Sequence, residues 1–173
     1  MDELLSYAIS DADIRNITGI NNIIRYQDIK NYNNIDDLLK NNLGCFILFE
    51  TKDNYGHWTI IFRVKELIEF FDPYGLFIEK QKIFIEEEEF KEHINYLSIL
   101  LKKSPYQISY NEIKFQNIKD KNIGTCGKWC IIRYLNRNKG LYEFEKMIKN
   151  DSKKFNLSND EFIAYLFFYL FNI

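Results

Sequence analysis

Apolar residues in this chain fall into short runs separated by small clusters of Asn, Asp and Gly. Residues 44–50, GCFILFE, form one run rich in aromatic and branched side chains, and residues 57–64, HWTIIFRV, form a second. Runs of this length fit strands better than helices. A third strand is expected over residues 67–72, ending at Asp72-Pro73-Tyr74-Gly75, where Pro and Gly supply turn chemistry. Three strands so close in sequence are expected to be sheet neighbours. Further on, Ile94, Leu97, Leu100 and Leu101 recur at three- and four-residue spacing, one face of a helix. The acidic run at residues 86–90 would be its solvated start, matched to the helix dipole, ahead of any metal or polycation site.

Shorter signals complete the pattern. Ser10 and Asp13, followed by Ile14, Ile17 and Gly19, predict a short capped helix with a glycine stop, and residues 35–40 another. Residues 107–116 are strand-like with a turn at Asn111. Residues 124–137 have the pattern of a buried helix, residues 142–148 are helical, and residues 162–171, FIAYLFFYLF, predict a buried helix started by Ser158 and Glu161 at capping-box spacing. With no repeat and no Pro/Gly/Ser-rich linker, the expectation is one α+β domain over residues 1–173, a central mixed sheet flanked by helices.

Composition narrows the class. Hydrophobic residues at 46% and aromatics at 17% can fill a core, which argues against disorder. A net charge of -2 gives no general attraction to nucleic acid, although a local basic patch stays open. Three cysteines are an odd number, and the opening MDELLSYAIS lacks a basic segment followed by an apolar one, so a secreted disulfide scaffold is disfavoured. The longest apolar run is ten residues, where a membrane span needs about 20. A soluble protein of a reducing compartment, with no membrane partner, is expected.

Two histidines limit the chemistry. His93 lies beside Lys91 and Glu92 and is most simply a surface residue, whereas His57 opens a strongly apolar strand behind Gly56. Cys126 stands in Gly-Thr-Cys-Gly-Lys-Trp-Cys, at or near a helix start, where unpaired amides and the dipole favour a thiolate. Cys130, one turn later, is expected to face the core, and the Cys126/Cys130 spacing is neither the redox pair nor half of a zinc site. A Cys-His pair needs a group that orients the imidazole and donors that hold an oxyanion. Asp72, at the end of the neighbouring strand, is the candidate for the first. Gln116 and the Cys126 amide are candidates for the second, with Gln107 in reserve. Taken singly, Asp72 is as well explained as a turn residue and Gln116 as a surface one. Trp58 is a core aromatic or a wall of the substrate groove.

The order Gly56-His57-Trp58, Phe71-Asp72-Pro73-Tyr74-Gly75, Phe115-Gln116 and Thr125-Cys126-Gly127-Lys128-Trp129-Cys130 resembles the adenovirus maturation protease family, adenain. The likeness runs from about residue 20 to 137, and the CGKWC form looks closest to proteases of virophages and Polinton-like elements. It implies a papain-like cysteine protease fold, related to the SUMO-deconjugating proteases, with His57, Asp72, Gln116 and Cys126 as catalytic residues. It also implies a role as a viral endopeptidase that cleaves capsid precursors beside small residues, acting in the virion and the infected cell interior. Nothing in the residues requires a cofactor or a metal. The family's activation by a viral peptide and DNA is implied by resemblance alone, since no cysteine maps onto the peptide-binding one. The interval from Gln116 to Cys126 holds the charged loop NIKDKN and is longer than expected for adenovirus members. Two other readings stand beside this one: a protease that removes ubiquitin-like modifiers, and a non-enzymatic capsid-binding module docking through its C-terminal helix.

Overall fold

The structure, a computed structural model, describes residues 1–40, 43–52, 55–85, 94–119 and 123–172. The expected acidic helix start at residues 86–90, and His93, lie outside the described residues. In chain order the elements are α1 (Asp2–Ser6), α2 (Asp11–Thr18), β1 (Ile23–Arg25), a 3-10 helix (Tyr26–Asn31), α3 (Ile35–Leu39), β2 (Gly44–Lys52), β3 (Tyr55–Val64) and β4 (Leu67–Phe71). A second 3-10 helix (Lys80–Phe84), α4 (Tyr96–Lys103), β5 (Gln107–Tyr110), α5 (Cys126–Leu135), α6 (Leu141–Lys154) and α7 (Asn159–Phe171) follow.

The five strands form one mixed sheet in sequence order. The central hairpins β2–β3 and β3–β4 are antiparallel, while β1 and β5 join the two edges in parallel. Helices cover both faces, which is why residues 44–49 form an unbroken apolar run instead of alternating with polar side chains. Alternation still sorts them. Phe46, Leu48, Trp58, Ile60, Phe62 and Phe71 pack with residues of α5, α6 and α7. Cys45, Ile47, Phe49, Ile61, Ile68 and Phe70 pack with the first 3-10 helix, α3 and α4.

Both predicted capping boxes are present. Ser10 accepts from the Asp13 amide while Asp13 accepts from the Ser10 amide, and Ser158 and Glu161 do the same for α7. Gly19 ends α2 at φ 71°, the left-handed region where a side chain is disfavoured. Two expectations change. The strand predicted over 107–116 pairs only as far as Tyr110, because the Asn111 side chain takes over from the backbone, accepting from Asp72 N at 2.8 Å and donating to Asp72 O at 2.6 Å. Of the apolar stretch 162–171 in the last helix, Phe162, Ile163, Ala164 and Phe167 are buried, while Phe168, Tyr169 and Leu170 are exposed. A helix apolar on every side cannot bury all of them against one neighbouring layer. Sequence patterning did not signal α1, β1 or the two 3-10 helices.

A buried ion pair fixes α5 on the sheet. Arg133 donates from Nε to Glu69 Oε1 at 2.7 Å and from Nη2 to Glu69 Oε2 at 2.8 Å, and it also caps the carbonyls of Asn136 and Lys139. Burying two charges is costly unless the geometry is this complete. Glu69→Leu should therefore destabilise the fold by about 3–5 kcal/mol by stranding the Arg133 charge. Glu69→Leu combined with Arg133→Met should recover much of that loss. Urea unfolding of the two variants checks both outcomes.

Candidate active site

Strand β3 opens on a close approach of two backbones: a Cβ on Gly56 would lie 2.1 Å from the Phe49 carbonyl oxygen, so only glycine fits there. The next residue, His57, is 5% exposed. Its Nε2 lies 2.7 Å from Asp72 Oδ1, and the Tyr74 ring stacks on the imidazole at 4.3 Å with an interplanar angle of 9°. The Phe84 ring packs against it at 5.0 Å. These contacts hold the ring in one orientation. They commit Nε2 to Asp72 and leave Nδ1 without a closed hydrogen bond.

Asp72 is fully buried and densely bonded. Besides His57, Oδ1 accepts from Tyr74 N at 2.8 Å, and Oδ2 accepts from Gln81 Nε2 at 2.6 Å. Its turn closes with Gly75 N donating to Asp72 O at 2.8 Å, so the residue is at once a turn initiator and a histidine partner. Gln81, itself buried, also donates to Leu76 O at 3.1 Å. Sequence patterning did not single out Gln81, or Tyr74 as a stacking partner; only their proximity to the Asp-Pro turn hinted at them.

Cys126 is the first residue of α5, at the positive end of the helix dipole. Asp160 sets this helix end: Oδ1 accepts from Thr125 Oγ1 at 2.7 Å and Trp129 Nε1 at 2.8 Å, while Oδ2 accepts from Asn117 N at 2.9 Å. Nothing in the sequence distinguished Asp160 from an ordinary first-turn acid. Burial raises the Cys126 thiol, but the neighbouring His57 imidazole, by its contact and charge, outweighs it, helped by backbone N–H groups at Trp58 and Gly127, so its pKa falls below the usual 9.0. Burial by itself lowers the His57 pKa; the charge and hydrogen bond of Asp72, then the contact with Cys126, push it up to about 9. The two groups favour a thiolate-imidazolium pair.

A cleft of about 150 Å³ carries both groups, lined also by Ala8, Ile9, Tyr55, Gly56, Trp58 and Gly124. That volume is below the roughly 300–1,000 Å³ of small-molecule pockets and suits a narrow slot. Trp58 fills both suggested roles, touching the cleft while packing edge-on against Phe46 in the core at 6.5 Å.

The structure thus brings His57, Asp72 and Cys126 together. Gln116 sits nearby but lines a separate hollow with Lys114, Asn117 and Asp160. It is buried, donates from Nε2 to the Ile123 carbonyl at 3.1 Å, and leaves Oε1 without a partner. One amide N–H remains for another acceptor. Gln107 is exposed and pairs with Leu67, at the opposite end of β4 from Asp72. Cys130 faces the core, its Sγ donating to Trp58 O at 3.4 Å. Among the described residues no group of three His, Cys, Asp or Glu is placed to hold a metal ion, and no helix is long and apolar enough to cross a membrane.

No protein-family model matches the chain. It is 36% identical over 172 residues to uncharacterized protein V9 of Sputnik virophage, an alignment that covers 95% of this chain and 98% of that protein. The chain belongs to the V9 family. The alignment takes in nearly the full length of both chains, so the likeness to the virophage protein is not confined to one part of the fold.

In this V9-family protein, Cys126 should react with iodoacetamide with a midpoint below the ordinary thiol value of 9.0. His57→Ala should move that midpoint upward, because burial then acts on the thiol with no imidazolium to oppose it. The alkylation rate measured against pH, with peptide mapping of Cys126, checks both statements.

Proposed function

We propose that this protein is a viral cysteine endopeptidase of papain-like, adenain-like fold that cleaves capsid precursors during virion maturation. The single observation behind the proposal is the His57 ring, fixed by a 2.7 Å bond to buried Asp72 and paired with a Cys126 thiol of lowered pKa at a helix N-terminus. Nucleophile, base and orienting group in this arrangement suit acyl transfer. The virophage relative supports a viral setting.

In the proposed reaction Cys126 Sγ attacks the scissile carbonyl, and the electron pair of the C=O bond moves onto oxygen. The Cys126 amide is the first oxyanion donor, and Gln116, which lines the neighbouring hollow, is the proposed second. The intermediate collapses as the C–N bond breaks, and His57 gives its proton to the leaving amine. Water, deprotonated by His57, then hydrolyses the thioester and regenerates the thiol. Asp72 holds the imidazole through both steps.

The test is incubation of wild-type protein and Cys126→Ala with the co-encoded capsid precursor, reading cuts by intact mass, with candidate viral peptides and DNA added in parallel. Cuts made by the wild type and absent in Cys126→Ala are expected; cleavage by Cys126→Ala would remove Cys126 as nucleophile. Cleavage of ubiquitin-like fusions in place of the precursor would move the substrate class to modifier proteins. Asp72→Asn should lower turnover by about a thousandfold or more. Gln116→Ala should lower turnover by roughly a hundredfold through the oxyanion, and full activity would shift that role to backbone amides. Because His57 must carry a proton to the leaving amine, turnover should fall as pH rises through about 9.

A further inference from the structure

Lys128 is an unexpected residue to find buried. It lies two positions after Cys126 on α5 with only 1% of its surface exposed. An ammonium group taken out of water needs compensation. Here it comes from two main-chain carbonyls of the amino-terminal segment: Nζ donates to Leu4 O at 2.8 Å and to Tyr7 O at 2.5 Å. The Tyr7 ring lies 5.4 Å from Nζ, in cation-π range. Burial lowers the lysine pKa to about 8, so the ammonium form still predominates at neutral pH.

The same segment is fastened on the other side of Cys126. Gly124 N donates to Leu5 O at 2.8 Å, and a Cβ on Gly124 would come within 2.9 Å of Ser6 O. A Cβ on Gly127 would come within 3.0 Å of the Ile9 side chain. Residues 4–9 therefore run as a strap across the residues that flank the thiol, and Ala8 and Ile9 at its end line the cleft. No residue of α1 is fully buried; Leu4 and Leu5 are half-buried and the helix lies against α7, so the polar contacts of Lys128 and Gly124 add direction to a partial apolar seat.

We propose that Lys128 is a positioning residue that latches residues 4–9 as one wall of the substrate cleft, and that this wall, at Ala8, limits the size of the substrate side chains beside the scissile bond. The inference rests on the reading of the cleft as a peptide-binding site. A lysine serves here because its three donors can satisfy two carbonyls from one side of a helix. The wall it fixes lines the same slot as Tyr55, Gly56 and Trp58.

The test uses full-length Lys128→Met and Ala8→Phe, the second of which leaves the latch intact. Each protein is treated separately with iodoacetamide and with a bulky N-aryl maleimide, and modification of Cys126 is followed by peptide mapping. The ratio of bulky to small reagent rates cancels changes in thiolate fraction. Lys128→Met should raise this ratio several-fold and speed amide exchange across residues 4–9; Ala8→Phe should lower the ratio. On peptide substrates Lys128→Met should lose roughly ten- to hundredfold in kcat/KM, mainly through KM, as expected for a displaced substrate wall. An unchanged ratio in Ala8→Phe, or unchanged exchange over residues 4–9 in Lys128→Met, overturns the proposal. Should Lys128→Met fail to fold, faster amide exchange over residues 4–9 in Lys128→Gln tests the latch, unchanged exchange there overturning it, while Ala8→Phe tests the wall. The reagent ratios do not depend on peptide cleavage, so a wild type that cuts nothing while the ratios shift as described would sink the protease reading and leave the latch standing.

Discussion

A carboxylate with no exposure to solvent must find donors within the protein, and the donors that Asp72 finds organise the whole site. His57 comes from the adjacent strand, Tyr74 N from the following turn, and Gln81 from the second 3-10 helix. Asn111 grips the same residue by its backbone from beyond the end of β5. Four separate pieces of chain thus converge on one residue at the end of β4. Moving any of them would leave a polar group buried without a partner, which is more costly than the bond itself is stabilising.

The thiol arrives from the opposite layer, so its position depends on how α5 sits on the sheet. Two polar anchors set that placement. Arg133 and Glu69 pin the last turn of the helix to β4, and Asp160 of α7 holds the Thr125 and Trp129 side chains at its start. Apolar packing of Trp129, Ile131 and Ile132 supplies the attraction between helix and sheet, but it is tolerant of small slides. Directional bonds to Glu69 and Asp160 remove that freedom. They are what turns a packed helix into a helix whose first residue meets a histidine.

Electrostatics in the cleft follow from this convergence. Burial acts against both charged forms, raising the thiol and lowering the imidazole, yet mutual attraction and Asp72 reverse both directions. Cys45, equally cysteine and fully buried, shows what burial does when only the more weakly acting Lys40 charge opposes it: its thiol is pushed far above the ordinary range. The difference lies in the company each sulfur keeps, since Cys45 packs among Ile47, Phe49 and Ile61.

The sequence by itself determined the central strands, two capped helices, the glycine stop at Gly19, and the placement of His57 on a strand and of Cys126 at a helix start. These are local properties: run length, three- and four-residue spacing, and cap chemistry act over a few residues. Asp72 was legible because one turn motif fixes both its position and its company. Only the tertiary structure decided the rest. Gln81, Asn111 and Asp160 look like ordinary polar residues until distant backbone and side-chain groups arrive beside them, and Lys128 looks like a surface lysine until the amino terminus folds over it. That pairing does not resume past the turn expected at Asn111, and that the last helix is buried along one side only, have the same cause. Pattern records which residues avoid water, whereas pairing partners and the number of neighbouring layers are set by chain segments far away in sequence.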